Sequence, residues 1–461
     1  MVKQIGEHAI VIGAGVGGLL FARGLAGYFE DVTVVERDSL ADNHEPRNGV
    51  PQGRHPHGLL AGGCRAMDAL LPGLVEDFKA VGAVKQVAGL STRFEMPGYD
   101  PFPQRDLGFC SYGLSRPLLE LCMRRRVQAI ANVSWEQNTA VERVQHYAGA
   151  VTGVVLRDGR SLPADLVIDA SGSGELTLRA FDEMRYARPR ETTIGIDLHY
   201  ATALFAIPDD AADDWNVLMT YPKPPLATSP NRPQNSFKAA LVSTIEGNRW
   251  ICTVAWQGEE KAPIDRESFI ELTRTVRTQT CYHAIKDATM LGKVVGFVFR
   301  ESCHRHFREL QSFPKGLLPV TDAICCFNPL YGQGMSVAAL EAEAFSELLE
   351  AGHGGFHELA RAFLQRTDQI IAEPWNMAAL PDLAYPDTRG ERPVNLMQLL
   401  KFDAAFRELA ARDASVHKLR LEIMSLLNRY SSVTGDPVLM QRIQVVMAEM
   451  APAEMAEAEA V

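Results

Sequence analysis

The stretch AIVIGAGVGGLLFARGLAGYFEDVTVVER, from Ala9 to Arg37, decides the fold of this chain. Its apolar opening, AIVIGA, predicts a buried strand that ends in a glycine turn. The residues from about Val16 to Gly27 predict an apolar helix, and DVTVVER predicts a second strand. The order strand, helix, strand within about thirty residues predicts a compact βαβ unit with parallel strands.

The glycines of the turn have separate physical reasons. Gly13 permits the tight turn, Gly15 lets the backbone approach a pyrophosphate, and Gly18 lets the helix pack against the strand. Glu36 closes the second strand, where its carboxylate would accept hydrogen bonds from a ribose diol and repel a ribose phosphate. The pattern therefore predicts a dinucleotide site that takes FAD or NAD rather than NADP.

The predicted secondary structure changes along the chain. The segment from about residue 191 to 298 is rich in strand patterns and contains the hairpin KAALVSTI-EGN-RWICTVAW. We expect an α/β fold, in which a Rossmann-like dinucleotide-binding domain carries an inserted β-sheet substrate domain and a C-terminal helical region. The expected boundaries are 1–190 and 299–375 for the two parts of the binding domain, 191–298 for the insert, and 376–461 for the helical region.

Composition narrows the class of partner. The chain has 461 residues, 46% of them hydrophobic, and a formal net charge of -11, which argues against nucleic acid as a partner. Its eight cysteines are scattered without a C-x-x-C pair, as in reduced, cytoplasmic proteins, and we expect no membrane insertion. His55 and His57 form an H-x-H pair near His44, but spacing alone is poor evidence, and we expect no metal.

Two later segments narrow the choice of cofactor. They are ADLVIDASGSG (Ala164–Gly174) and LLPVTDAICCFNPLYGQGMSVAALEA (Leu317–Ala342). Both resemble fingerprints of the FAD-dependent monooxygenases related to para-hydroxybenzoate hydroxylase (group A). The resemblance implies FAD as the cofactor and places Asp322 on its ribityl chain. It also implies that the loop containing Pro329, Gly332, Gln333 and Gly334 lies against the flavin ring. A helix that starts near Met335 would then point its positive end at the ring.

A narrower resemblance covers residues 8 to about 430. The runs RNGVPQGRHPHGLLAGG (Arg47–Gly63), SRPLLE, IEGNRWICTVAWQG and FNPLYGQGMSVAA are similar to the bacterial flavin-dependent epoxidases of polyether biosynthesis. The resemblance implies that Arg47, Arg54 and Arg116 face the FAD and that Val141 lies near the adenine. Arg37 is also predicted to contact the cofactor. The chain departs from the family's pattern at Thr321, where a glycine is usual, and at Ser173, where an arginine is usual.

These resemblances imply an FAD-dependent monooxygenase, in which NADH or NADPH reduces the flavin transiently and a flavin hydroperoxide transfers one oxygen atom. We expect a small hydrophobic substrate of secondary metabolism and either epoxidation or hydroxylation. A phenol would need a base to take its proton, whereas an alkene needs none. No residue of the sequence must be such a base, which favours an alkene.

The substrate pocket is harder to place. Tyr200 and Tyr331 are candidates to line it, and so is Trp256. Alternation puts Ile194, Ile196, Leu198 and Tyr200 on one face of a strand. It likewise puts Trp250, Cys252, Val254 and Trp256 on one face of a hairpin, which suits either a core or a substrate wall.

Other functions stay open at this stage. A halogenase shares the scaffold, although the W-x-W-x-I-P segment of that group is absent. An FAD-dependent reductase of prenyl double bonds and a catalytically silent flavin-binding protein are further alternatives. The sequence leaves open the substrate, its attachment to a carrier protein, the choice between NADH and NADPH, and the oligomeric state.

Overall fold

The computed structural model describes residues 4–222, 237–352 and 354–459. Its strands are β1 (Gly6–Ile12), β2 (Phe29–Glu36), β3 (Val84–Val87), β4 (Thr92–Glu95), β5 (Cys110–Gly113), β6 (Val133–Gln137), β7 (Val141–Tyr147), β8 (Ala150–Leu156), β9 (Ser161–Pro163), β10 (Leu166–Asp169), β11 (Glu191–Ala206), β12 (Val217–Thr220), β13 (Lys238–Ile245), β14 (Arg249–Trp256), β15 (Met290–Arg305), β16 (Leu317–Pro319) and β17 (Cys325–Cys326). Its α-helices are α1 (Val16–Leu25), α2 (Ala61–Leu70), α3 (Leu74–Ala80), α4 (Arg116–Gln128), α5 (Glu175–Met184), α6 (Arg266–Arg274), α7 (Thr280–Ile285), α8 (Gly334–Ala351), α9 (Phe356–Leu383), α10 (Leu396–Arg412), α11 (Ala414–Met424), α12 (Ser431–Thr434) and α13 (Pro437–Glu459).

A parallel sheet in the order β16-β10-β1-β2-β6 forms the centre of the molecule. Strand β1 pairs with β10 on one side and β2 on the other, and Ala9, Ile10 and Val11 are fully buried. Such burial on both faces explains why β1 reads as a continuous apolar run. Helices α1, α8 and α9 pack together through Phe21, whose ring centroid lies 5.2 Å from that of Phe345. The predicted α/β fold with its βαβ unit is confirmed.

A second sheet has seven strands in the order β17-β15-β11-β14-β13-β12-β4. The hairpin between β13 and β14 turns through the three residues 246–248, of which Gly247 and Asn248 have positive φ (74° and 54°), a conformation that glycine and asparagine tolerate best. The sheet draws β4 and β17 from outside the predicted insert, and β15 continues past residue 298 to Arg305. Residues 223–236 of the predicted insert lie outside the described residues.

The two faces of this sheet have different neighbours. One face packs Trp250, Cys252, Val254 and Trp256 against α6 and α7 in a closed apolar core. On the same strand, β14, Ile251, Thr253 and Ala255 point to the opposite face, which borders a cavity. The wall of aromatic side chains predicted from alternation is therefore core rather than substrate wall.

The C-terminal helices form a separate apolar cluster that includes Phe406 and Ile443. The predicted boundary between residues 375 and 376 falls inside α9, which runs without interruption through Pro374 and Pro381. In the described part of the chain, no helix is both long enough and apolar enough to cross a membrane.

Candidate functional site

One cavity of about 650 Å³ lies between the carboxyl edge of the parallel sheet and the second sheet. The start of α1, at Val16 and Gly17, forms one part of its wall. Asp322 forms another, and the loop from Pro329 to Met335 a third. The first of these segments lies about 300 residues before the other two in sequence. They meet because the parallel strands β1, β10 and β16 end at the same edge of the sheet.

The glycine turn leaves space for a ligand. Gly13 has φ 101°, and a Cβ there would lie 2.6 Å from the carbonyl oxygen of Ala170. A Cβ on Gly18 would collide with the carbonyl oxygen of Gly13. A Cβ on Gly15, in contrast, would meet nothing within 4 Å. Packing of the chain thus requires the outer two glycines, and the space beside Gly15 is open at the start of α1, whose first N–H groups have no side-chain cap.

A buried network of charges follows β2. Glu36 Oε2 accepts a hydrogen bond from Ala14 N at 2.8 Å and lies 3.1 Å from Arg47 Nη1. Glu120 accepts from both Arg47 (2.9 Å) and Arg116 (2.7 Å). Burial opposes ionisation of Glu120, but the two guanidinium groups prevail and lower its pKa. Arg47 and Arg116 border a second, smaller cavity of about 230 Å³, and Arg116 also borders the large one.

Seven predicted cofactor contacts border neither cavity, and three of them, Arg37, Arg54 and Val141, lie outside the glycine turn and Glu36. Arg37 Nη2 donates to the carbonyl oxygen of Gly49. Arg54 is exposed, and Val141 packs against the central core at the start of β7. None of the three borders either cavity. Thr139, just before β7, donates its N–H to the carbonyl oxygen of Glu36.

Asp322 lies on a 3-10 turn, Thr321–Ala323, and the buried carboxyl group of Glu341 lies nearby. Burial raises the pKa of Asp322 to about 6, against the opposing effect of Arg116. Glu341 on α8 accepts a hydrogen bond from Thr321 N at 2.8 Å through Oε2, and its Oε1 has no partner among the described residues. Burial raises the pKa of Glu341 to about 8.

The loop before α8 brings backbone close to the cavity. Gly332 has φ 65°, a left-handed conformation that favours glycine, and a Cβ on it would lie 3.4 Å from the Cα of Gly58, in ordinary contact. Gln333 is buried, and its Oε1 has no hydrogen-bond partner in the described part of the chain. Helix α8 begins at Gly334 without a side-chain cap, so its N-terminus opens onto the cavity.

The part of the cavity that borders the second sheet is apolar. Among the residues that line the cavity, Arg116 and Asp322 are the ones charged at neutral pH. Burial lowers the pKa of His55 to about 4 and that of His57 to about 3, so both imidazoles are neutral at pH 7. Phe94, Leu241, Ile251, Phe297 and Phe299 are among the apolar residues that line this part.

Two of the three predicted pocket residues border the cavity. Tyr200 and Tyr331 line it, whereas Trp256 is fully buried on the other face of the sheet. The Trp256 ring stacks on His199, and its Nε1 donates to the carbonyl of Glu260. The prediction that Trp256 lines the pocket is therefore wrong. Alternation along a strand shows which residues share a face of the sheet, but it does not show whether a helix or a cavity covers that face.

Sequence reasoning missed a polar cluster behind the cavity. Asp382 on α9 accepts hydrogen bonds from Tyr331 Oη (2.8 Å) and from Asn328 Nδ2 (3.1 and 3.0 Å). Tyr200 Oη donates to Asn328 Oδ1 at 3.1 Å. A single aspartate in the helical run ALPDLAY carries no signal of this role, because its partners lie more than fifty residues away.

The metal-binding question concerns two places. His55 Nδ1 is 2.7 Å from Thr202 Oγ1, and His57 Nδ1 is 2.9 Å from the carbonyl of His55, so both rings have protein partners. Within the described ranges, His304, His306 and Asp368 place ligand atoms within 4.8 Å of one another. There, however, Asp368 pairs with Arg308 at 2.8 Å, and His306 lies 2.8 Å from Thr192 Oγ1.

Comparison with known proteins agrees with this architecture. A family model described as tryptophan halogenase matches residues 74–186. The protein Rv3254 of Mycobacterium tuberculosis is 29% identical over 455 residues, which cover 94% of this chain and 92% of that protein.

Two solved structures are similar over most of the chain. The flavin-dependent brominase Bmp2 has a TM-score of 0.64 at 13% identity, with 97% of this chain and 100% of the brominase covered. PqsL, a probable FAD-dependent monooxygenase from Pseudomonas aeruginosa, has a TM-score of 0.60 at 18% identity, with 83% and 97% covered. The chain therefore has the fold of the FAD-dependent monooxygenases and flavin-dependent halogenases. The similarity does not favour one of these two activities over the other.

Proposed function

We propose that this protein binds FAD and acts as a monooxygenase, with NADH or NADPH as reductant and dioxygen as the oxygen source. One observation carries the proposal. The start of α1 at Val16 and Gly17, Asp322 and the uncapped start of α8 all border one cavity, whose wall against the second sheet is largely apolar.

The residues present fit FAD. The open space beside Gly15 and the uncapped start of α1 suit a pyrophosphate, and the Glu36 carboxylate suits a ribose diol. Asp322 would hold the ribityl chain, and the loop from Gly332 to Met335 would hold the ring. The unpartnered Gln333 Oε1 is an acceptor of the kind that a ring N–H would satisfy. When bound, FAD would supply electron transfer from the nicotinamide to dioxygen and the activation of one oxygen atom.

The chain itself would contribute position and environment. The N-terminus of α8 would stabilise negative charge on a reduced ring without a dedicated cation. The apolar face formed by Leu241, Ile251 and Phe299 would exclude water and hold an uncharged substrate. Asp322 and Arg116 are the charged side chains among the described residues that line the cavity. Because the wall offers a charged substrate no other partner, we propose that the substrate is uncharged.

Gly15→Leu tests the cofactor site. The side chain enters open space in the folded chain, so the protein should fold, but the leucine would occupy the place of the pyrophosphate. We expect at least a 100-fold loss of FAD affinity, measured by fluorescence titration. Gly27→Leu is the matched control, because a Cβ there also meets nothing within 4 Å and Gly27 lies beyond the C-terminal end of α1, away from the glycine turn. Equal FAD affinity of Gly15→Leu and the unchanged protein would refute the proposed site.

The reaction is tested on the FAD-loaded protein with a panel of uncharged alkenes and aromatic compounds. We expect a subset to accelerate NADH or NADPH oxidation and to gain one oxygen atom from isotopically labelled dioxygen. If the protein binds FAD but no compound gains labelled oxygen, the proposal of FAD binding stands and the proposal of monooxygenase activity is refuted.

Halogenation is the second candidate function. The family model described as tryptophan halogenase, which matches residues 74–186, is the observation that supports it. The same panel, assayed with chloride or bromide, separates the two activities. A halogenated product that requires the halide would establish halogenation, and an oxygenated product that forms without halide would establish oxygenation.

A further inference from the structure

His304 is a buried imidazole whose ring nitrogens have no hydrogen-bond partner among the described residues. It is 8% exposed and lies near the end of β15, just before Arg305. Burial lowers the pKa of His304 to about 4, so the ring is neutral at pH 7 and one nitrogen carries a free lone pair. Buried polar groups in folded proteins almost always have a partner. The His304 ring is therefore available to a ligand from outside the chain.

Two more groups that can bind a metal ion lie beside His304. The ligand atoms of His304, His306 and Asp368 are all within 4.8 Å of one another. His304 and His306 are two residues apart at the end of one strand, which places both on one face, and their ring centroids are 4.2 Å apart. Asp368 comes from α9, and Trp375, two turns further along that helix, packs on the His304 ring. Zinc bonds of about 2.0–2.1 Å require ligand atoms about 3.4 Å apart, so small rotations of these side chains would complete a site.

The protein contacts of His306 and Asp368 occupy one atom of each side chain. His306 Nε2 lies 2.8 Å from Thr192 Oγ1, whereas its Nδ1 is 3.9 Å from Glu309 Oε1, beyond hydrogen-bond distance. Asp368 Oδ2 accepts from Arg308 Nη1 at 2.8 Å, which leaves Oδ1 for another ligand. A histidine that binds a metal through one nitrogen typically has such a partner on the other. The contact with Thr192 would therefore orient the His306 ring toward the ion.

The charges around the three groups nearly cancel. Arg190 pairs with Glu309, and Arg308 pairs with Asp368. Arg308 is the cation that would oppose a metal ion most directly, because it shares the Asp368 carboxylate. Its side chain is 55% exposed, so it can turn into solvent when an ion binds.

We propose that His304, His306 and Asp368 bind one divalent transition-metal ion of the zinc class, with a water molecule at the fourth position. Two imidazoles and one carboxylate suit zinc, whereas magnesium and calcium prefer oxygen ligands alone. The ion would join the end of β15 to α9. None of the three residues borders the large cavity, so the site is separate from the proposed FAD site. The earlier expectation of no metal concerned a different pair, His55 and His57.

The test is a calorimetric titration of the full-length, untagged protein with zinc after a chelator has removed bound metal. We expect one zinc ion per chain with a Kd in the micromolar range, both with and without FAD, and no binding of magnesium. Cobalt in place of zinc should give the visible absorption of a tetrahedral site. His304→Phe, which keeps the volume of a ring, and Asp368→Asn should each weaken zinc binding about 100-fold.

Arg308→Gln should have the opposite effect. Because it removes the cation that shares the Asp368 carboxylate, we expect zinc to bind about tenfold more tightly. A variant that fails to fold could not show this gain. Arg412→Gln is the matched control, since Arg412 is equally exposed (54%) but lies in the C-terminal helical region, and its zinc affinity should stay within twofold. His146→Gln controls for casual binding at a surface histidine beside a carboxylate, because His146 Nε2 is 3.6 Å from Glu183, and it should also leave the affinity within twofold.

The results that overturn the site are specific. They are the absence of zinc binding by the unchanged protein, an unchanged affinity in folded His304→Phe or in Asp368→Asn, and weaker binding by Arg308→Gln. Circular dichroism establishes that each variant is folded. These measurements need neither FAD nor turnover, so a chain that binds FAD but not zinc would refute this site alone. A chain that binds zinc but not FAD would refute the proposed function and leave the metal site standing.

Discussion

Thr321 holds a backbone conformation that suits glycine better. Its φ is 56°, in the left-handed region, where a β-branched residue is strained. The resemblance noted above has a glycine at this position. The Thr321 side chain also covers Gly17 at the start of α1, so the residue lies at the edge of the proposed cofactor site.

We expect Thr321→Gly to raise the free energy of unfolding by about 1 kcal/mol, because it removes this strain. Chemical denaturation of the FAD-free protein measures the change. Thr321→Ala is the control, since it removes the contact with Gly17 but keeps a Cβ in the left-handed region. A gain of stability in the alanine variant equal to that in the glycine variant would show that the side-chain contact, and not the backbone, is the source.

At the scale of elements, Glu341 joins α8 to the turn at Thr321. Its buried carboxyl group has a pKa of about 8 in the folded protein and an ordinary value of 4.5. Between these pH values the folded protein holds a proton that the unfolded chain has lost. The free energy of unfolding therefore falls as pH rises from about 4.5 to about 8, by up to about 1.4 kcal/mol per pH unit, and this fall ends above pH 8.

Glu341→Gln should flatten that decline, because an amide does not titrate while its oxygen can still accept from Thr321 N. The measurement is the unfolding free energy of the FAD-free protein at intervals from pH 5 to pH 9. Glu347→Gln, at an exposed position of the same helix, is the control and should keep the slope of the unchanged protein. A Glu341→Gln variant with an unchanged slope would contradict a buried neutral carboxyl group.

Elements with local patterns were predictable from the sequence, and contacts between distant elements were not. The βαβ unit and the EGN hairpin follow from periodicity and turn chemistry within a few residues. Asp322 and the loop before α8 were found through resemblance. Arg54 was expected near the cofactor but is exposed, and Asp382 gave no signal, because its burial and its contacts to Asn328 and Tyr331 depend on how α9 packs.

At the scale of the whole molecule, the cavity wall is completed by the C-terminal helical region. Leu421 and Met424 of α11, with Ser425 just after it, border the cavity opposite the second sheet. The Ser425 carbonyl accepts a hydrogen bond from Gly62 N at 2.8 Å, and Gly62 packs directly on the carbonyl of Leu426. This close backbone contact fixes the end of α11 against α2, so the C-terminal region helps to set the size of the cavity.

Met424→Trp should therefore narrow the cavity and change which substrates fit. We expect turnover of bulky members of a homologous series to fall at least tenfold, while the smallest member changes less than twofold and FAD affinity stays within twofold. Steady-state kinetics across the series and a fluorescence titration with FAD measure these effects. Val438→Trp, on the exposed side of α13, is the control for an added indole and should leave the series unchanged. An equal fall for every member of the series would mean that α11 supports the fold without bounding the substrate.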